Sequence, residues 1–260
     1  MADQRERILD CACRLCLDEG LDGFSMRRLA RAVGVTAPAL YRHYGSKEEV
    51  LLEVVNEAYR LHMEYLSRAL EGGTALERFR MAGAAYLDFA LEQPRYYELM
   101  YSYAEALGLE TIPDETLARA RAVGHFWRDR VREVMAAGHL KEGDPDQVST
   151  TLWSLAHGVI SLYLQGLLPL DEEAFRTFTH LAFLRLLTGL ATGDYHEELE
   201  MELRESGAEQ ALVGALDPEV VARSRTTWGG SHDGGSTEDS ESTATTEPPR
   251  ELETSREGDS

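Results

Sequence analysis

No part of this sequence alternates apolar and polar residues as a half-buried strand does; apolar side chains recur every three or four positions instead, so the chain reads as all helix. The opening Met-Ala-Asp-Gln-Arg-Glu-Arg lacks an apolar segment after its basic residues, which argues against a secretory leader and for a cytoplasmic chain. Glycine-rich phosphate loops, His-Glu-x-x-His and Gly-x-Ser-x-Gly are all missing. With no nucleophile beside obvious local partners, nothing recommends an enzyme, a cofactor or a catalytic metal. Charge is absent from Gln147 to Leu170, a run long enough to span a bilayer, but eight polar side chains interrupt it, Ser154, His157 and Gln165 among them. So many polar groups suit a helix buried in protein, not one facing lipid.

Cysteine is scarce too. The spacing of Cys11, Cys13 and Cys16 invites a metal or redox reading. On a helix, at about 100° per residue, Cys13 and Cys16 share a side while Cys11 points roughly 140 to 160° away, so the three cannot converge on one ion. They read as small apolar groups in a core kept reduced.

What the sequence does hold is enough apolar material, 43% of 260 residues, for one or two folded units. Periodicity predicts helices over 3–19, 25–33, 36–43, 46–71, 74–93, 94–106, 113–137, 145–167 and 171–192, with Gly20 closing the first, Ser25, Thr36, Ser46 and Thr74 as caps, and Pro94, Pro113 and Pro145 opening later ones. We divide the chain into residues 1–62, 63–193, an acidic surface helix within 194–225, and a tail, 226–260. The tail holds nine acids, two bases and only Trp228 and Leu252 as large apolar groups, so it should be disordered.

Acids outnumber bases 46 to 26, a formal charge of −20, so the chain as a whole should be repelled by phosphate backbones and by anionic membranes. A nucleic-acid role must therefore be local. Residues 1–50 are balanced, with eight acids and eight bases, and inside them Gly23 to Lys47 carries Arg27, Arg28, Arg31, Arg42 and Lys47 without one acid. That strip also has the grammar of a helix-turn-helix. Ser25 caps a helix with an apolar stripe of Met26, Leu29, Ala30 and Val33; Gly34 permits a tight turn; Thr36 caps a second helix with Pro38 harmlessly in its first turn. The small leading residues Thr36, Ala37, Pro38 and Ala39 let a backbone approach base edges in a major groove. A solvated basic face is the plain alternative.

Arg7-Ile8-Leu9-Asp10, Gly20, Phe24-Ser25-Met26-Arg27-Arg28-Leu29-Ala30, Gly34-Val35-Thr36 and Leu40-Tyr41-Arg42-His43-Tyr44-Gly45-Ser46-Lys47 together resemble the DNA-binding domain of the TetR-type, tetracycline-repressor-like, transcriptional regulators. The resemblance covers about the first sixty residues. It implies core positions for Leu40 and Tyr44, phosphate contacts through Tyr41, His43 and Lys47, and a groove-facing Thr36–Ala39, with Arg27 and Arg42 as further DNA-binding candidates. Lys47 at the start of the long helix would add a point charge to an anion-binding helix end.

In the acidic half, Trp153-Ser154-Leu155-Ala156-His157-Gly158 resembles the Trp-His-Gly signature of one C-terminal subclass of these regulators, as does Tyr86-Leu87-Asp88-Phe89-Ala90 leading to Pro94. Helix 145–167 has two adjoining apolar stripes, Val148, Leu152, Leu155, Val159 and Leu162 beside Trp153, His157, Ile160 and Leu164. With helix 171–192 it could form a four-helix bundle across a two-fold axis, so a homodimer is expected. Tyr86, Phe89, Tyr97, Met100, Tyr101, Phe126, Trp127, Trp153 and His157 are candidates for an effector pocket, with His157 as its polar anchor; ordinary core packing is the plain alternative for each. The expectation is thus an all-α, dimeric, non-enzymatic regulator of double-stranded DNA, most simply a repressor released by a small, largely apolar effector. The competing reading is a helical interaction protein that acts through its acidic tail or dimer face.

Overall fold

The computed structural model of the protein describes residues 4–101 and 107–206. Ten α-helices follow one another among them: α1 (Gln4–Gly23), α2 (Met26–Val33), α3 (Ala37–Leu40), α4 (Lys47–Ser67), α5 (Ala75–Glu92), α6 (Pro94–Met100), α7 (Asp114–Ala136), α8 (Pro145–Leu164), α9 (Glu172–Leu190) and α10 (Gly193–Glu205). The one β feature in the described residues is a single antiparallel bridge between Leu140 and Ala191. The tail 226–260 and residues 207–225 of the acidic extension lie outside the described residues, as does the end of the helix expected to reach 106.

The chain punctuates these helices where side-chain chemistry says it should. Ser25, Ser46 and Thr74 each accept a hydrogen bond from a backbone N–H of the following first turn, and Thr74 and Glu77 close a reciprocal capping box. At Gly20 the helical path breaks, at φ 70° and ψ −178°. A non-glycine residue would resist that conformation.

Two cores hold the helices together. The larger runs from Ile8, Leu29, Leu40 and Tyr44 through Val54, Ala58 and Leu66 to Phe89, Ile160 and Phe175, and the smaller joins Phe79, Val131, Val134, Leu181, Leu184, Tyr195 and Leu199. The larger core is continuous across residue 62, and the boundary expected there falls inside α4, which packs on α1 at one end and on α5 and α7 at the other. A rigid helix of about 30 Å thus mechanically links the amino-terminal bundle to the body.

Three expectations need revision. The second helix of the turn motif, expected over 36–43, is one α-turn, Ala37–Leu40, continued to Tyr44 by tighter bonds from Arg42 N–H to Ala39 O (3.3 Å) and His43 N–H to Leu40 O (2.9 Å). The tightening goes with Tyr44, whose ring must turn fully into the core just before Gly45. Second, α10 is no mere surface helix, because Tyr195 and Leu199 bury its apolar side against the smaller core. Third, α8 buries Leu152, Val159 and Ile160, whereas Trp153 and Leu162, one from each of its two apolar stripes, remain 40% and 42% exposed, so neither stripe is fully covered within a single chain.

Candidate functional site

Inside the amino-terminal bundle, Gly34 adopts φ 80° as the cap of α2, a left-handed conformation that glycine adopts without strain. The chain then turns through Val35 to Thr36, whose hydroxyl accepts from Ala39 N–H at 3.4 Å and fixes the start of α3. Leu40 and Tyr44 anchor this segment, each fully buried. The rest of the segment from Thr36 to His43 faces outward to some degree: Thr36, Pro38, Tyr41 and Arg42 are exposed, and Ala37, Ala39 and His43 are half-buried. A leading turn of small side chains therefore projects from a rigid base.

The basic strip sorts into two kinds of side chain. Arg28 is committed to structure, because its guanidinium pairs with Glu19 and donates to Gly23 O at 3.1 Å. Arg27, Arg31 and Arg42 are exposed and have no ion-pair partner among the described residues. Lys47 is half-buried, its Nζ 6.0 Å from the Phe24 ring centre. The helix end beside it is already engaged. Gly45 N–H donates to Glu49 Oε2 at 2.6 Å, and the Glu48 carboxyl is held below the usual carboxylate range by its own backbone N–H and by Ser46. The anion site expected at the start of α4 thus has resident carboxylates, which a phosphate must displace or accommodate.

Two of the cysteines, Cys13 and Cys16, are buried, and burial pushes their thiols up to about 11 and about 12 respectively. Thiols held so firmly protonated are poor nucleophiles and poor metal ligands. Cys11 is half-buried and accepts from Arg14 at 3.2 Å.

In the body a cleft of about 940 Å³ opens between α5, α8, α9 and α10. Of the aromatic candidates, Tyr86, Trp127 and Trp153 reach its wall, but Phe89, Tyr97, Met100, Tyr101, Phe126 and His157 do not line it. Phe89, Tyr97 and Met100 are buried in the larger core, and Tyr101 and Phe126 pack against it. The physical reason is mutual satisfaction. The Tyr86 hydroxyl bonds those of Tyr97 (3.3 Å) and Tyr101 (3.0 Å), Tyr97 Oη lies 2.7 Å from His157 Nδ1, and Trp153 Nε1 donates to Tyr101 Oη at 3.3 Å. His157 also stacks on Trp153 at 5.3 Å, and burial lowers its pKa, favouring the neutral ring. It is a hydrogen-bonded structural histidine in this conformation and not an anchor in the cleft.

Sequence reasoning missed most of that wall. Arg80, Arg176, Thr179 and His180, with Glu198 and Glu202 of α10, line the cleft together with Phe79 and Phe183. The i, i+4 spacing of Thr179 and Phe183, or of Glu198 and Glu202, tells which helix face they occupy, but not that α10 folds back to meet α5.

Compared with known proteins, residues 8–54 match the family of bacterial regulatory proteins of the tetR type, and residues 79–184 match the tetracyclin repressor-like C-terminal domain. The HTH-type transcriptional regulator Rv1816 of Mycobacterium tuberculosis is 28% identical over 142 residues, which cover 53% of this chain and 60% of that protein. The nucleoid occlusion factor SlmA of Vibrio vulnificus is 30% identical over 147 residues, covering 55% of this chain and 71% of that one. A solved structure from Rhodococcus sp. RHA1, of a protein of unknown function, superimposes with a TM-score of 0.65 at 26% identity, covering 74% of this chain and 97% of that chain. With both halves matched in order, and the exposed turn and its two anchors where the motif requires them, this chain belongs to the tetR family of bacterial regulatory proteins.

Proposed function

We propose that the protein is a homodimeric, sequence-specific regulator of transcription that binds double-stranded operator DNA through α2 and α3 and is released from it by a small, largely apolar effector. The observation that carries this reading is the outward-facing leading turn Thr36–Ala39, seated on buried Leu40 and Tyr44 and flanked by Arg27, Arg31 and Arg42, which have no acidic partners among the described residues. Small groups at the tip reach base edges while exposed cations take phosphates, the division of labour between base reading and positioning in protein–DNA contacts. In this reading Arg27, Tyr41, Arg42, His43 and Lys47 contact the backbone, and Thr36, Ala37, Pro38 and Ala39 enter the groove. Charge elsewhere repels DNA and confines binding to this patch.

Pairing follows from the same geometry. One turn motif spans too few base pairs for selectivity, and two placed about 34 Å apart read successive major grooves. Leu162 of α8, exposed one heptad beyond half-buried Leu155 on the same stripe, supplies an apolar face for a second copy outside the cleft lining. Trp153, His157 and Gly158 support placement in the Trp-His-Gly subclass, and the protein acts inside the cell without catalysis. No helix among the described residues is long and apolar enough to cross a membrane.

Gel-shift selection with genomic fragments tests the proposal. The expected result is a sequence-preferring complex whose affinity falls steeply with salt and which Ala37→Glu abolishes without unfolding the protein. A complex indifferent to sequence and to Ala37→Glu would overturn it.

A further inference from the structure

We infer that the cleft between α5, α8, α9 and α10 takes an uncharged, largely apolar small molecule that offers a carbonyl or similar oxygen to Thr179. The inference deepens the effector reading and rests on it for biological purpose, although the binding itself does not depend on DNA.

Size and wall chemistry come first. A volume of about 940 Å³ lies at the upper end of what small-molecule sites provide, and Phe79, Tyr86, Trp127, Trp153 and Phe183 join leucines, alanines and Ile160 in a mainly apolar wall. Charge decides the class. Each basic group in the lining already has a carboxylate: Arg80 pairs with Glu198 at 2.7 Å, Arg176 with Asp88 at 2.7 Å, and His180 Nε2 lies 2.8 Å from Glu202. Among the described residues a charged ligand finds no unpaired basic group in this lining, and against the apolar part of the wall its charge would be desolvated without compensation. Glu205 is exposed on the last turn of α10 and belongs to the rim.

The oxygen is argued from Thr179. Two other threonines of α9 return their hydroxyls to the helix, Thr177 to Glu173 O at 3.0 Å and Thr188 to Leu184 O at 2.8 Å. Thr179 does not. Its side chain is 5% exposed, it lines the cleft, and its hydroxyl is buried without a hydrogen-bond partner. Rotation about χ1 exchanges its methyl and hydroxyl positions, so an acceptor in the cleft can claim an O–H that is otherwise unsatisfied. Trp127 Nε1, also of the lining, is a second buried donor without a partner among the described residues.

The test uses the full chain and four fluorescent probes. Two are neutral, N-phenyl-1-naphthylamine without a carbonyl and 6-propionyl-2-dimethylaminonaphthalene with one; 8-anilinonaphthalene-1-sulfonate is anionic and rhodamine 6G cationic. We expect one neutral probe per chain, bound at least tenfold more tightly than either charged probe, and abolished by Ala84→Trp, which fills the cleft from an exposed position. Thr179→Val should weaken the carbonyl probe three- to tenfold and leave N-phenyl-1-naphthylamine unchanged. Tight binding of a charged probe, an equal effect of Thr179→Val on both neutral probes, or probe release as the protein self-associates, showing that a second copy covers the cleft, would each overturn the inference. DNA binding is read separately: probe binding without operator binding sinks the regulator reading alone, and the reverse sinks only the ligand.

Discussion

His62 of α4 lies face to face with Phe89 of α5, ring centres 4.5 Å apart and planes inclined by 13°, and neither imidazole nitrogen has a hydrogen-bond partner. Burial alone drives its pKa down to about 3. The folded value lies below that of the unfolded chain, about 6.5, so the native state binds fewer protons in this window. Stability should be complete above the unfolded value and fall as pH drops toward 3, by at most about 1.4 kcal/mol per pH unit from this group. Urea melts at neutral and mildly acidic pH check the slope. His62→Phe should flatten that window and raise the midpoint at neutral pH, because an aromatic hydrocarbon keeps the stack and removes two unsatisfied polar atoms. An unchanged pH slope in the variant would show that other groups dominate.

The carboxylate of Glu49 occupies the helix end that phosphate would otherwise meet. Glu49→Gln keeps a hydrogen-bonding oxygen for Gly45 N–H but removes the charge. DNA affinity should rise about two- to fivefold, the equivalent of about 0.3–1 kcal/mol for one charge at a helix terminus. The fold should lose a similar amount, since the same carboxylate favours the helix dipole. Fluorescence anisotropy with an operator duplex, beside a thermal melt, separates the two effects.

Tyr97 and His157 form the shortest link in the aromatic network, at 2.7 Å. Tyr97→Phe removes the hydroxyl while leaving the ring, so the buried His157 Nδ1 and the Tyr86 hydroxyl each lose one partner. We expect a loss of about 1–3 kcal/mol, the cost of leaving a buried polar group unsatisfied. Cleft binding should change little, because neither residue lines it, and a calorimetric melt with a probe titration reports both.

How legible was this in the sequence? The helices were, because capping residues and apolar periodicity act within one turn: Ser25, Thr36 and Ser46 stand at their expected caps. The two anchors of the exposed turn were legible for the same reason, since Leu40 and Tyr44 are four residues apart and share one buried side. The cleft was not. Its wall combines Arg80, Thr179 and Glu198, far apart in sequence, through the return of α10 onto α5 and α9, and no local periodicity encodes that return. Of the aromatic residues singled out in the sequence, Tyr86, Trp127 and Trp153 reach this cleft, whereas Tyr97 and Tyr101, whose hydroxyls bond that of Tyr86, pack in or against the larger core.

Arg28 and Arg42 look equivalent in the sequence and should behave oppositely. Arg28 bridges Glu19 and Gly23 O within the bundle, so Arg28→Ala should lower the melting temperature while leaving the salt dependence of DNA binding nearly as it was. Among the described residues the Arg42 side chain has no ion-pair partner to lose. If it meets a phosphate, Arg42→Ala should leave the melt alone and shift the slope of log K against log salt by about 0.9, the counterion released per phosphate contact. Affinity would fall by a similar factor on every sequence, since a backbone contact carries no base information. The two variants, measured side by side at several salt concentrations, therefore divide the basic strip into the part that builds the reading head and the part that uses it.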